Sequence, residues 1–147
     1  MSKLFQAFLT GIFFTFILDF FLFLGIFQNY IKLHDIDLYY NILFADNQNI
    51  FIFMGFSILI GFLVIYINNN RITATILATL FLLVSLTLIE SVGESVGQIL
   101  LMKKDKTIQW KSYTYHGDIY YDDRESLSFY DYKLDKIILL NKKEIQE

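Results

Sequence analysis

Proline and cysteine do not occur in this chain of 147 residues, and charged residues are few. The absence of cysteine excludes disulfides, thiolate metal sites and a cysteine nucleophile. The absence of proline excludes proline-kinked helices. Charged residues make up 18% of the chain, against about 25% in a typical soluble domain. The formal net charge of −3 is too small to indicate a nucleic-acid partner.

Apolar side chains are abundant instead, at 55% of the chain, and they gather in three long segments. Residues 4–27 contain one formal charge, Asp19, whereas residues 50–67 and 72–89 contain none. A helix needs roughly 20 apolar residues to cross a bilayer core about 30 Å thick. The sequence therefore predicts an integral membrane protein with three transmembrane helices. The first segment is longer than a signal-peptide core and lacks a small-residue cleavage site, so we expect it to be retained.

The three predicted helices form a membrane domain, residues 1–102, and cover about 4–27, 50–67 and 72–102. The third helix is the longest, because its apolar pattern continues with polar residues interleaved, and it must tilt or extend past the hydrocarbon core. The connection 28–49 mixes apolar and acidic residues. It is either a short amphipathic helix lying on the membrane or an unstructured loop.

A small antiparallel β tail is predicted for residues 103–147. The predicted fold class is therefore a membrane all-α bundle of three transmembrane helices with a β tail, α+β overall. A lysine-rich cluster at 103–106 is expected to end the third helix, and the Tyr, Thr and Trp that follow favour strands. Three crossings place the connection on the same side of the membrane as the tail. Strands are predicted at 107–116, 119–121, 126–132 and 136–141, with a turn at His116-Gly117-Asp118.

Asp19 is the first candidate site, because a carboxylate within an apolar membrane helix is costly and is a functional-site hypothesis by default. Gly11, Thr15 and Asp19 follow one another at intervals of four and share one helix face. The small residues allow another helix to approach closely, and the Thr15 hydroxyl could donate a hydrogen bond to the carboxylate. Asp19 is then either a polar contact to a neighbouring helix or a proton or cation site.

A tandem repeat is the second candidate: Glu-Ser-Val-Gly at 90–93 recurs at 94–97. Glu90, Gly93 and Gly97 fall on one stripe of a helix, and such small-residue stripes favour close helix packing. The repeat could pack within the chain, dock to another subunit, or line a carboxylate ion path. The predicted residues for helix packing or partner contact are Gly11, Thr15, Asp19, Ser57, Gly61, Glu90, Gly93, Glu94 and Gly97.

Chemistry-bearing motifs are otherwise weak. His34 and His116 each lie close to aspartates, but their spacing matches no closed metal site. We therefore predict no catalytic residue, no metal and no cofactor. The tyrosine-rich tail could stack on a ligand, although strand formation, membrane-interface placement and protein contacts each account for tyrosine without one. No motif identifies one family.

These observations predict a non-enzymatic accessory, assembly or scaffold subunit of a larger bacterial inner-membrane complex. Its partners would be the lipid bilayer and other membrane-protein subunits. One alternative is a proton- or cation-handling subunit that uses Asp19 with Glu90 or Glu94, and a weaker one is an enzyme acting on lipids at the interface. Lysines beside the membrane on the tail side favour a cytoplasmic tail, whereas Lys3 before the first helix favours the opposite orientation. We lean to the cytoplasmic tail.

Overall fold

The computed structural model describes residues 2–67 and 69–146, which form five α-helices followed by an antiparallel sheet. The predicted α+β class is confirmed. The helices are α1 (Lys3–Ile26), α2 (Tyr40–Asn47), α3 (Ile50–Tyr66), α4 (Asn70–Ser85) and α5 (Glu90–Leu101). The strands are β1 (Lys103–Trp110), β2 (Tyr113–Asp122), β3 (Ser126–Asp131), β4 (Lys136–Asn141) and β5 (Ile145–Gln146).

Two helical stretches are long and apolar enough to cross a membrane. One is Lys3–Ile31, in which α1 continues as a π-helical turn over Phe27–Ile31, and the other is Asn70–Leu88. The helices α2 and α3 meet at 83° and would supply a third crossing if this bent pair counts as one span. The connection 28–49 contains a short helix, α2, as the first alternative predicts, whereas the position of this helix on a membrane stays a prediction.

The predicted continuous helix 72–102 is broken in the structure. It splits where α4 ends at Ser85, a 3₁₀ turn follows, and α5 begins at Glu90. At the break, the Thr87 hydroxyl donates to a carbonyl of the preceding turn (2.7 Å), and the Thr87 carbonyl accepts from Asn29 Nδ2 (2.9 Å). The second bond satisfies a backbone carbonyl that the break frees. Periodicity along the segment could not indicate this break, because Asn29 is distant in sequence.

α1 is the central helix, and both α3 and α4 pack on it. α3 runs antiparallel to α1. α4 runs in the same direction as α1, since Phe81 packs edge-on against Phe21 with ring centroids 5.0 Å apart, and Thr87, just beyond α4, lies against Gly25. No residue of α4 is buried, so its surface remains available to lipid or to another helix.

The sheet has the strand order β4-β3-β2-β1-β5, in which β1 to β4 form an antiparallel meander. The predicted turn at 116–118 is wrong, because these residues lie inside β2 and the chain reverses at residues 111–112. Gly117 indicates a close approach rather than a turn, since a Cβ there would overlap the Tyr130 carbonyl oxygen of the next strand. The lysine cluster at 103–106 begins β1, which pairs with β2 from its first residue.

Two buried clusters hold the tail side of the molecule together. One lies within the sheet and consists of Ile108, Ile119, Leu127, Phe129 and Leu140. The other, which we name the junction core, joins the end of α1, the connection, α5 and β2. Its buried members are Phe23, Ile26, Tyr30, Ile31, Ile36, Leu38, Leu43, Leu101 and Tyr121.

Candidate functional site

The closest helix contact lies between α1 and α3 and uses four of the predicted residues. A Cβ added to Gly11 would overlap the Ser57 carbonyl oxygen, and one added to Gly61 would overlap the Ala7 carbonyl oxygen. The two backbones therefore touch, which is possible only because both positions lack a side chain. Ser57 and Thr15 are buried beside this contact, at 0% and 2% exposure. These small residues form the α1–α3 seam.

Asp19 lies beside the start of α3 rather than midway along it. Its Oδ2 accepts a hydrogen bond from Gln48 Nε2 (3.0 Å), and Gln48 immediately precedes Asn49, the N-cap residue of α3. The positive end of a helix dipole favours a nearby carboxylate. The donation expected from Thr15 is not seen, because its hydroxyl has no hydrogen-bond partner among the described residues. Asp19 thus joins α1 to the bend between α2 and α3.

The tandem repeat lies on α5, where its glycines face the π-helical end of α1. A Cβ at Gly93 would crowd the Asn29 side chain, with 2.8 Å to its Cβ, and one at Gly97 would overlap the Tyr30 ring. Glu94 is half-buried and accepts from Gln98 Nε2 (3.1 Å), one turn further along α5. Glu90 is exposed. The glycine stripe is thus occupied by contacts within the chain.

Polar contacts between the connection and the sheet surround the junction core, and sequence patterns did not indicate them. The Tyr30 hydroxyl donates to the Tyr120 carbonyl oxygen (2.8 Å), and Asn47 Nδ2 donates to the Tyr121 hydroxyl (3.2 Å). The Arg124 guanidinium forms a two-pronged ion pair with Asp46 at the end of α2. Since Arg124 is exposed and exposed ion pairs contribute at most about 1 kcal/mol, this pair orients the sheet while the buried apolar contacts hold it.

A second ion-pair cluster, centred on Asp122 at the end of β2, joins the start of β1 to the end of β4. Lys103 donates to Asp122 (2.7 Å), and Lys142 donates to the other oxygen of the same carboxylate. Partial burial alone would raise the pKa of Asp122, but the two ammonium groups outweigh it and hold that pKa below its usual value. The carboxylate is therefore ionised at neutral pH and fastens the start of β1 to the end of β4.

His34 lies where the connection meets α5 and β2. Its ring stands edge-on to Tyr30 and Tyr120, with ring centroids 5.0 and 4.6 Å apart. Its Nε2 is buried and has no hydrogen-bond partner among the described residues. Burial lowers the pKa of His34, and the Glu94 carboxylate offsets part of that effect. The ring is therefore neutral at physiological pH, and a proton on Nε2 would find no acceptor.

Acidification is expected to weaken the junction through His34. Folding favours the neutral ring, so the stability that it contributes is fully present above the ordinary histidine pKa of about 6.5 and is lost as the pH falls through the lowered pKa of the folded chain. Thermal unfolding at about pH 7.5 and about pH 5.5 measures this loss. His34→Phe should reduce the difference in stability between the two pH values, whereas Leu33→Ala, at an exposed neighbour that does not titrate, should leave that difference unchanged. An unchanged difference in His34→Phe would contradict the assignment.

The tyrosines of the sheet pack on one another and on neighbouring carboxylates. Tyr120 and Tyr130 stack with ring centroids 5.7 Å apart. The Tyr132 hydroxyl donates to Asp118 (2.6 Å), and this bond raises the pKa of Tyr132 to about 12. The Tyr130 hydroxyl donates to Asp135. Within residues 2–67 and 69–146, no group of three or more metal-ligating side chains comes together.

Comparisons with known proteins found no match among protein-family models, curated proteins or solved structures.

Proposed function

We propose that this chain is a non-enzymatic accessory or scaffold subunit of a larger complex in a bacterial inner membrane. Its helices would anchor it beside partner helices, and its sheet would present a fixed surface to partners at the membrane face. We place the sheet on the cytoplasmic side, because the lysines next to the membrane on that side outnumber those at the opposite end. The basic groups behind this placement are Lys32, Lys103, Lys104, Lys106 and Lys111, against Lys3, Arg71 and the amino terminus.

The observation that carries the proposal is the junction core, through which the sheet shares buried side chains with three helical elements. Leu43 of α2, Leu101 of α5 and Tyr121 of β2 belong to one cluster, which also includes the end of α1. A tail connected only by a flexible linker would present no defined orientation to a partner. A sheet packed into the helix ends presents the same surface in every copy, and this suits a scaffold.

The outward-facing surface of α4 also supports the proposal. An apolar helix with no buried residue gains little from its own chain, and hydrophobic burial does not drive association in lipid. Its exposed small residues Ala74, Thr75, Ala78 and Thr79 suit close packing with a partner helix. In contrast, the predicted stripes on α1 and α5 are used within the chain. These features support α4 as the proposed contact with a partner helix in the membrane.

The proposal is tested by affinity purification of the tagged full chain from native membranes, together with Asp19→Asn and Asp19→Leu. The wild type and Asp19→Asn should recover the same partners in fixed ratios, because an asparagine oxygen still accepts the hydrogen bond from Gln48. Asp19→Leu, which removes the acceptor, should recover less of the complex. A chain that purifies alone would contradict the scaffold role. Loss of ion transport in Asp19→Asn with assembly intact would favour ion handling instead.

A further inference from the structure

One edge of the sheet, strand β4, has no strand beside it among residues 2–67 and 69–146. Its six residues, Lys136–Asn141, pair continuously with β3 from Ser126↔Asn141 to Asp131↔Lys136, without a bulge. Only one side of β4 is used by that ladder. The alternate N–H and C=O groups of the other side point away from the sheet, and such a regular edge is a template for another strand.

The opposite edge of the sheet is protected by several features that β4 lacks. β1 begins with three lysines and one aspartate in four residues, has an irregular register between Lys103 and Lys106, and holds Asp105 at a positive φ of 52°. β5 then covers β1 at Gln109 and Trp110. Charged residues, bulges and a covering segment are the means by which sheets avoid edge-to-edge pairing. In β4, the four residues 137–140 are Ile-Ile-Leu-Leu, without charge.

The exposed apolar side chains of β4 lie on the face of the sheet that meets the helices. Leu139 pairs with Ser128, and Ser128 pairs with Tyr121, a member of the junction core. Directly paired residues share a face, so Leu139 is on the same face as Tyr121. It lines an open groove with Ile42 of α2 and remains 69% exposed. Ile137 is on that face as well, two residues away.

We propose that β4 pairs antiparallel with β4 of a second copy of this chain, with the twofold axis at Ile138. In this register, Ile138 is opposite its own symmetry mate, and Ile137 of one copy is opposite Leu139 of the other. The exposed Leu139 of each copy is then covered by the partly buried Ile137 of the other, and Lys136 is opposite the apolar Leu140. The two sheets become one ten-stranded sheet, since each copy supplies the five strands.

The symmetry of this pairing agrees with the placement of the helices. The twofold axis between antiparallel strands is perpendicular to the sheet, so corresponding faces of the two sheets point the same way. The helices pack against one face of each sheet, and both helical domains therefore extend to the same side of the joined sheet. Two copies paired in this way can have their apolar helices in one membrane.

Charge and side-chain placement determine the register in which the two β4 strands pair. Side chains that are directly opposite each other in a sheet lie on the same face, and successive residues of a strand alternate between faces. A twofold axis midway between two residues would pair residues from opposite faces. The axis must therefore pass through a residue. An axis at Leu139 would place Lys136 opposite Lys142 of the second copy, and like charges directly opposite each other are destabilising. The axis at Ile138 avoids this repulsion and still pairs Ile137 with Leu139. The edge of β4 is thus self-complementary in this register, because Ile137 meets Leu139 and no two charged residues of the strand are opposite each other.

The absence of cysteine from the chain makes a cross-linking test direct. In the full chain reconstituted in phosphatidylcholine vesicles, oxidation of Ile138→Cys should give a disulfide-linked dimer. Directly opposed residues have Cα atoms about 4.5–5.5 Å apart, which is within the range that a disulfide spans. Leu134→Cys is the matched control, because it lies in the β3–β4 turn, is 50% exposed and would be far from its symmetry mate. It should give no dimer above background.

A second variant tests the same pairing without a new cysteine and without a buried substitution. Leu139→Lys places a charge opposite Ile137 twice in each dimer, and should raise the dimer dissociation constant about tenfold. Leu33→Lys, at an exposed position of the connection and outside the sheet, should leave it unchanged. Equal cross-linking at positions 134 and 138, or a dimer that Leu139→Lys does not weaken, would overturn the proposal. So would cross-linking of Ile138→Cys, in native membranes, to a different protein when its own dimer is not formed.

Discussion

Gly61→Ala is expected to force α3 away from α1 and to destabilise the helical domain by about 2–3 kcal/mol. The added Cβ would lie 2.7 Å from the Ala7 carbonyl carbon and closer still to its oxygen. Both are backbone atoms of a central helix, so the obstacle cannot move by changing a rotamer. Overpacking a well-packed contact costs about 1–3 kcal/mol, and a clash with backbone belongs at the upper end. Denaturation of the chain in mixed detergent micelles, followed by circular dichroism, measures the loss.

Gly55→Ala is the matched control for Gly61→Ala. Gly55 lies on the same helix, and a Cβ added there would meet nothing within 4 Å. The same substitution should therefore be neutral, or stabilise α3 by up to about 1 kcal/mol through helix propensity. If both alanine variants lose equal stability, the cause is a general intolerance of α3 and not its contact with α1. If both variants are as stable as the wild type, the backbones of α1 and α3 are not in close contact at Gly61.

Leu43→Ala is expected to destabilise the docking of α2 and the sheet by about 2–5 kcal/mol. The Leu43 side chain is 0% exposed and lies within the junction core. Truncating a buried leucine removes its transfer free energy and leaves a cavity that the surroundings fill only in part. Because the junction core joins the sheet to the helices, the loss should appear as faster amide exchange in β2 and as faster proteolysis of the connection. Strands β3 and β4, whose buried apolar residues all belong to the cluster within the sheet, should change less.

Leu33→Ala provides the comparison within the same connection. Leu33 is 46% exposed, so its truncation removes little buried surface and should cost less than about 0.5 kcal/mol. A large loss in Leu43→Ala with little loss in Leu33→Ala assigns the effect to the junction core. Similar losses in both variants would instead mean that the whole connection contributes equally, and that the junction is not the element that fixes the sheet.

The losses of stability expected for Gly61→Ala and Leu43→Ala concern two distinct parts of the molecule. The α1–α3 seam is a contact between helix backbones, whereas the junction core is a cluster of side chains between helices, connection and sheet. The scaffold proposal depends on the second, because the junction core fixes the orientation of the sheet. The pairing proposed for β4 depends on neither, since it uses the free edge of the sheet.

Hydropathy and helix spacing predicted much of the helical part. The apolar segments at 4–27 and 50–67 correspond to α1 and α3 within one residue at each end, because uninterrupted apolar runs leave few other conformations. The strand predicted at 136–141 coincides with β4. The spacing of Gly11 and Gly61 indicated surfaces for close packing, although it could not say that these two residues face the same contact.

Local composition and spacing were sufficient to predict the α+β class, the apolar helices and the positions where small side chains permit close packing. The tertiary structure alone decided where the third apolar segment breaks, since Asn29 satisfies the Thr87 carbonyl from a distant part of the chain. It also decided that Gly117 lies within a strand, because the Tyr130 carbonyl of the neighbouring strand occupies the space of a side chain. In both cases the deciding partner is remote in sequence, and no local pattern contains it.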